Sequence, residues 1–149
     1  MRYSVFRNPP IDGAMSNDPA WRAADLSSAN GYSNAKALAT FYDLLLRPRA
    51  DGRRLVGGEA LAEATRCRFE GVDIVKGEFQ RWSAGFWLNP GRLYGPNLEA
   101  FGHSGLGGSF AFADPVAGVA AAYTMNKMSD QFERNPRRRG LIDAVYASL

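Results

Sequence analysis

Apolar side chains in the first half of the chain recur with the period of a helix. From Tyr32 onward they repeat at steps of three and four residues, at Ala35, Leu38, Ala39, Tyr42, Leu45 and Leu46. Ser33 is placed to cap this helix and Pro48 to stop it. The pattern therefore predicts an amphipathic helix, followed by a turn at residues 51–52 and a shorter helix from Glu59 to about Arg66.

Beyond Gly77 the period shortens toward two, which predicts β-strands. Four segments have this pattern: residues 82–88, 98–103, 109–113 and 116–125. A turn from Asp114 to Gly118 should join the last two as a hairpin. The stretch from Val119 to Met125 hardly alternates, which is typical of a strand covered on both faces. We therefore expect it to lie centrally in the sheet.

The two ends of the chain differ in pattern. Residues 1 to about 30 are rich in turn-forming residues and show little periodicity, so we expect an extended segment that lies on something else. Near the other end Asn135 is placed as an N-cap and Pro136 at the first helical position. Apolar residues then follow along one face, which predicts a terminal helix docked on the sheet: Leu141, Ile142, Val145 and Leu149.

Composition narrows the class of protein. A chain of 149 residues, 46% of them hydrophobic, can form one core, and a net charge of +3 is too small to indicate nucleic-acid binding. Cys67 is the only cysteine and His103 the only histidine, which argues against a disulfide or a zinc site. No apolar run is long enough for a signal peptide or a membrane span. We expect a soluble protein, cytoplasmic by default, without metal or organic cofactor.

A glycine-rich segment carries most of the functional information. Gly102, Gly105, Gly107 and Gly108 remove side chains where a strand edge turns, so a substrate carbonyl can approach backbone N–H groups closely. The segment is not a phosphate-binding loop, because it lacks the Gly-Lys-Ser/Thr ending and continues as a strand rather than as a helix. Taken alone, a single histidine such as His103 is more often structural than catalytic.

The sequence from His103 to Gly105 resembles the Lys-Thr-Gly or His-x-Gly motif of serine β-lactamases, DD-peptidases and related family VIII carboxylesterases. Residues 31–45, 82–87 and 114–118 resemble a later helix, a Tyr-Gly-Leu-Gly-Trp strand and the final hairpin of that superfamily. The resemblance covers roughly residues 28–148. It implies an α/β fragment of α+β type: an antiparallel sheet of three to five strands flanked by a helical hairpin and a C-terminal helix.

The same resemblance implies roles for four candidate catalytic residues. The backbone N–H of Leu106, just past Gly105, would supply half of an oxyanion hole. The Ser104 hydroxyl would contact the carboxylate or acyl group of the substrate. His103 would supply polarity or a proton relay.

The sequence contains no credible nucleophile. The superfamily uses Ser-x-x-Lys at a helix start and a separate Tyr-x-Asn loop. Both strings occur here, from Ser33 to Lys36 and from Tyr32 to Asn34, but they share Ser33. One serine cannot serve two separate elements, so we interpret the match as a coincidence. We expect residues 31–149 to be a partial β-lactamase-like domain of a C-terminal fragment or truncated product, whose nucleophile is missing.

Three functional hypotheses follow. In the first, the chain is the C-terminal portion of a serine hydrolase acting on small-molecule esters or related acyl compounds. In the second, it is a non-catalytic binding or assembly module that forms a homo-oligomer through the surface left by the missing half. A minor third hypothesis is a complete small hydrolase that uses Ser33 and Lys36.

Overall fold

A computed structural model describes residues 10, 12–129 and 135–149. After a 3₁₀ helix at Gly13–Asn17, the α-helices are α1 (Pro19–Ala23), α2 (Ala35–Leu46), α3 (Gly58–Thr65) and α4 (Pro136–Ala147). The strands are β1 (Phe69–Val72), β2 (Phe79–Trp82), β3 (Trp87–Leu88), β4 (Phe101–Ser104), β5 (Phe110–Asp114) and β6 (Val119–Tyr123). The α+β fold class is confirmed.

The described residues form two compact units. The smaller unit contains the described residues up to Ser33 together with Val72–Glu78. The larger unit contains Asn34–Gly71 and the described residues from Phe79 to Leu149. The larger unit therefore includes the whole glycine-rich segment.

The six described strands follow one another in chain order across a single sheet, one more than the upper limit of the predicted three to five. From β2 to β6 each strand pairs antiparallel with the next. Gly102 lies opposite both Trp87 and Phe112, and Ser104 lies opposite Phe110. This register pairs the whole of β4 with β5, whereas β3 pairs only with Phe101 and Gly102.

The alternation of side chains divides the core of the larger unit into two clusters. On one face, α2 packs on the sheet in a cluster formed by Tyr42, Leu45, Leu88, Phe101, Ala111 and Ala113. On the other face, α4 packs in a cluster formed by Trp87, Tyr94, Ala100, Phe110, Phe112 and Ile142. All five residues of β5 are buried, so β5 is the strand that is covered on both faces.

The prediction that residues 119–125 lie centrally was wrong. β6 ends the strand order of the described sheet, and each of its residues is only half-buried. Three consecutive alanines, Ala120 to Ala122, hid the alternation, because alanine is compatible with either a buried or a partly exposed position. The hairpin turn itself is confirmed, since backbone N–H groups of Val116 and Ala117 donate to Oδ1 of Asp114 at 2.9 and 3.0 Å.

The predicted strand over residues 82–88 is in fact a hairpin. β2 ends at Trp82 and β3 begins at Trp87, with Trp82 and Trp87 paired across the turn. The Ser83 hydroxyl oxygen accepts a hydrogen bond from the Phe86 N–H at 2.9 Å, which closes the turn. A short turn held by one serine side chain interrupts the alternation too briefly to be recognised from the pattern. The pattern also missed β1.

The terminal helix is confirmed, but its buried face was assigned partly wrongly. Oδ1 of Asn135 accepts a hydrogen bond from the Arg137 N–H at 3.0 Å, and Pro136 occupies the first turn as expected. The buried residues of α4 are Arg138 and Ile142, one turn apart. Leu149 lies beyond the helix and is 72% exposed. The spacing of apolar residues alone does not predict a buried arginine such as Arg138.

The segment expected to be extended contains two short helices in its described part. Asp12 caps the 3₁₀ helix by accepting from the Ala14 N–H at 2.9 Å, and Asp18 caps α1 by accepting from Ala20 at 2.8 Å. These are local capping signals without hydrophobic periodicity, so the pattern analysis did not predict them. The residues before Asp12, except Pro10, lie outside the described part of the chain.

Helix α2 begins one residue later than predicted, because Asn34 and not Ser33 is its N-cap. Oδ1 of Asn34 accepts a hydrogen bond from the Ala37 N–H at 2.9 Å, and the Asn34 backbone is extended. We expect Asn34→Ala to lower the free energy of unfolding by about 1 kcal/mol. Ser33→Ala is the matched control and should have a clearly smaller effect. Urea unfolding of both variants measures the difference, and equal losses would contradict the assignment.

Candidate functional site

The candidate site lies where β4 ends and a tight turn leads to β5. The Gly105 N–H donates to the Ser109 carbonyl at 2.8 Å, and the Gly108 N–H donates to the Gly105 carbonyl at 3.2 Å. Leu106, at the tip, has a relative exposure of 60%. Its backbone N–H has no hydrogen-bond partner among the residues that the structure describes. A backbone donor is therefore held at the end of a buried strand without an internal acceptor.

Two glycines fix the path of this turn. Gly107 and Gly108 have φ angles of 92° and 111°, which side chains of L-residues rarely tolerate. A Cβ atom on Gly108 would lie 2.6 Å from Nδ2 of Asn135, which begins α4. The Gly107 carbonyl in turn accepts a hydrogen bond from the Ser129 N–H at 2.8 Å. The turn that carries Leu106 is thus held from behind by neighbouring segments.

Asn135 helps to position the glycine turn, whereas the sequence analysis identified it only as a helix cap. Its side chain is 3% exposed, and its Nδ2 has no hydrogen-bond partner among the described residues. Because Nδ2 lies directly against Gly108, any side chain at that glycine would collide with the start of α4. The capping residue therefore also sets the position of the glycine turn.

His103 is exposed on β4, beside a pair of tryptophans. Its ring centre lies 5.9 Å from that of Trp82 and 6.2 Å from that of Trp87. The two indoles stack on each other at 5.1 Å with an interplanar angle of 16°. The imidazole is thus an accessible polar ring next to a rigid aromatic surface.

Ser104 is buried next to Tyr94 and Arg138, and its contact with substrate stays a prediction. Its side chain is 2% exposed and its hydroxyl lies 3.2 Å from the Tyr94 hydroxyl. Nη1 of Arg138, itself buried, donates to the Ser104 oxygen at 3.3 Å. Burial raises the pKa of Tyr94, so its hydroxyl stays protonated. Successive side chains of a strand point to opposite faces, so Ser104 and the exposed His103 lie on different faces of β4. Through its contacts with Arg138 and Tyr94, Ser104 joins β4 to α4 and to the loop before β4.

Asn89 organises the loop that brings Tyr94 to Ser104. This fully buried residue donates through Nδ2 to the carbonyls of Gly95 and Asn97, at 2.9 and 2.7 Å. Its Oδ1 accepts from the Tyr94 N–H at 2.9 Å. The sequence analysis missed this residue, although Asn89-Pro90-Gly91 is a turn signal.

A second buried link joins α4 to the end of β5. Asp114 is fully buried, and its Oδ2 accepts hydrogen bonds from Nδ2 of Asn97 at 2.8 Å and from the Tyr146 hydroxyl. Burial, and then the hydrogen bond to Asp114, raise the pKa of Tyr146, which keeps its phenol protonated as a donor. The loop before β4, the hairpin after β5 and α4 are therefore locked together behind the candidate site.

Ser33 and Lys36 occupy the start of α2. Ser33 directly precedes the N-cap Asn34, and Lys36 lies in the first turn of the helix. These positions follow from the start of the helix alone and do not by themselves indicate catalysis. Use of the two residues in catalysis stays a prediction.

The described ranges contain neither a cluster of metal ligands nor a membrane-spanning helix. No three His, Cys, Asp or Glu side chains come together there as potential metal ligands. None of the helices found there is long and apolar enough to cross a membrane.

This chain is similar to known proteins of the β-lactamase-like superfamily. It is 33% identical over 107 residues to esterase/beta-lactamase LipL of Mycobacterium tuberculosis, covering 70% of this chain and 24% of that protein. A family VIII carboxylesterase of known structure is 42% identical with a TM-score of 0.92, covering 99% of this chain and 40% of its own. A penicillin-binding protein homologue from Caulobacter crescentus is 46% identical with a TM-score of 0.83, covering 89% and 36%.

This chain spans less than half of the length of each of these three relatives. The sequence profile of the beta-lactamase family matches residues 3–146, which is nearly the whole chain. The chain therefore belongs to the beta-lactamase family.

Proposed function

We propose that this chain forms the oxyanion side of a serine hydrolase that acts on esters or related acyl compounds. The observation that carries the proposal is the backbone N–H of Leu106, an exposed residue, which has no hydrogen-bond partner among the described residues. Two relatives are described as an esterase/beta-lactamase and a carboxylesterase, which supports an acyl substrate. In this proposal residues 31–149 act as a partial domain, and the nucleophile comes from residues outside this sequence.

The chemistry is acyl transfer to a serine. The serine oxygen attacks the carbonyl carbon of the ester, its proton passes to a general base, and the carbonyl π electrons move onto the oxygen as an alkoxide. The Leu106 N–H donates a hydrogen bond to that developing alkoxide. Collapse of the intermediate expels the alcohol and leaves an acyl-serine, which water then hydrolyses. One fixed donor of this kind lowers the barrier by about 3–4 kcal/mol.

The four predicted residues take different roles in this proposal. Leu106 supplies the donor, and Gly105 allows the turn that presents it. His103, exposed beside Trp82 and Trp87, supplies polarity or relays a proton at the edge of the site. Ser104 positions the end of β4 through Arg138 and does not contact substrate directly.

Covalent labelling tests whether the chain has a nucleophile of its own. We expect a fluorophosphonate probe to leave the intact mass unchanged and p-nitrophenyl butyrate to be hydrolysed no faster than in buffer. Ser33→Ala serves as the control and should behave identically. An adduct mapped to Ser33, lost together with turnover in Ser33→Ala, would instead establish a complete small hydrolase that uses Ser33 and Lys36.

The free edge of the described sheet favours a second candidate function, assembly of a homo-oligomer. β6 contains only Val, Ala and Tyr, so it has none of the charges or prolines that protect exposed strand edges. Pairing of β6 with a strand of another copy would satisfy the outer backbone groups of β6, which face no strand of the described sheet. Light scattering should then show an oligomer at all accessible concentrations, whereas a monodisperse monomer would refute this candidate.

A further inference from the structure

A groove separate from the candidate site lies between α2, α3 and the beginning of β4. Its volume is about 520 Å³, within the range of about 300–1,000 Å³ that is typical of small-molecule sites. The apolar residues that line it include Leu45, Leu61, Leu88 and Phe101. None of residues 103–106 lines it. The groove therefore offers an apolar floor that the proposed hydrolase chemistry does not use.

Two opposite charges on the wall of the groove have no charged partner among the residues that the structure describes. Arg54 and Glu99 both line it, both are exposed, and neither has a hydrogen bond or ion pair within the described residues. Other charges nearby are paired: Arg81 also lines the groove but lies 3.2 Å from Glu70. Arg53, next to Arg54, donates two hydrogen bonds to Oδ2 of Asp51. Within the described part of the chain, the groove thus combines an apolar floor with one unpaired cation, Arg54, and one unpaired anion, Glu99.

We propose that this groove binds a short apolar peptide with free ends. The peptide carboxylate pairs with Arg54, its ammonium pairs with Glu99, and its side chains pack on the apolar floor. A fatty acid would complement Arg54 but leave its apolar end against the Glu99 carboxylate, and an apolar amine would have the converse defect. A zwitterion satisfies both charges at once.

The size of the groove sets the length of the peptide. A cube with the volume of the groove, 520 Å³, has an edge of about 8 Å, which gives the linear scale of the groove. Two to three extended residues span roughly 7–11 Å. Dipeptides and tripeptides of leucine are therefore the appropriate probes. The inference does not depend on the proposed hydrolase function, because the two sites share no residue.

The single cysteine provides the readout. Cys67 lines the groove and is half-buried, so an occupant should shield its thiol. We expect trileucine to slow the reaction of the Cys67 thiol with Ellman's reagent in a saturable manner, and calorimetry to give the same affinity. N-acetyl trileucine and trileucine amide each lose one ion pair and should bind about threefold more weakly.

Charge variants test the orientation of the peptide. Arg54→Gln should weaken trileucine about threefold and remove the penalty for amidating the carboxylate, while leaving the penalty for acetylation. Glu99→Gln should do the converse. Arg53→Gln is the matched control and should change neither, and far-ultraviolet circular dichroism checks that all variants are folded. Absence of thiol protection and of heat at the solubility limit, or equal affinity for the free and blocked peptides, would overturn the proposal.

Discussion

Replacing Phe112 with alanine should lower the free energy of unfolding by about 3–5 kcal/mol. Phe112 is fully buried in the middle of β5, where it stacks on Tyr94 with ring centres 5.6 Å apart and on Tyr146 at 6.4 Å. Truncation removes this burial and leaves a cavity beneath Gly102, the residue opposite Phe112 on β4. The loss is large because three elements, α4, β4 and the loop before β4, all rest on this ring.

Urea unfolding followed by tryptophan fluorescence measures this effect. Val116→Ala is the control, since Val116 is 62% exposed and its truncation should change stability by no more than about 0.5 kcal/mol. If Phe112→Ala does not fold, Phe112→Leu, which largely keeps the volume, should cost about 1 kcal/mol. If Phe112→Ala lowers the free energy of unfolding by less than about 1 kcal/mol, the cluster around α4 is not a packed core.

The helices were predictable from the sequence because their signals are local. The apolar spacing of α2 and the Asn135-Pro136 start of α4 each define an element within a few residues. The error of one residue at the start of α2 arose because Ser33 and Asn34 are both good N-caps, and only the hydrogen bond to Ala37 distinguishes them.

The sheet was less predictable because its order and burial depend on contacts between distant segments. The alanines of β6 fit a central strand as well as an edge strand, and only the pairing shows that β5 is the covered one. The turn closed by Ser83 likewise divided one predicted strand into two. Side-chain type alone therefore predicted β4, β5 and β6 but not their order in the sheet, and it missed β1.

The glycine turn was predicted from the sequence, whereas the side-chain partners of Ser104 were not. The glycine positions indicated a tight turn, and Leu106 lies exposed at its tip. The partners of Ser104 are Tyr94 and Arg138, 10 and 34 residues away in sequence. No spacing rule connects such residues, so the change of Ser104 from a substrate contact to a proposed positioning residue needed the structure.

A chimera allows the proposed stabilisation of an oxyanion by the Leu106 N–H to be measured. The family VIII carboxylesterase shares 42% identity and a TM-score of 0.92 with this chain over 40% of its own length. This chain can therefore replace the matching part of that enzyme, which supplies the rest of the hydrolase. Leu106→Pro removes the N–H, whereas Leu106→Ala removes the side chain and keeps the N–H.

The deciding measurement is the kcat of the three chimeras for p-nitrophenyl butyrate, with melting temperatures recorded to confirm that each is folded. We expect Leu106→Pro to lower kcat by about 10²–10³-fold, which is the effect of losing one oxyanion-hole donor. Leu106→Ala should stay within about threefold of the parent chimera, because the donor is unchanged. Folded proline and alanine variants with equal kcat would contradict the assignment of Leu106 as the oxyanion donor.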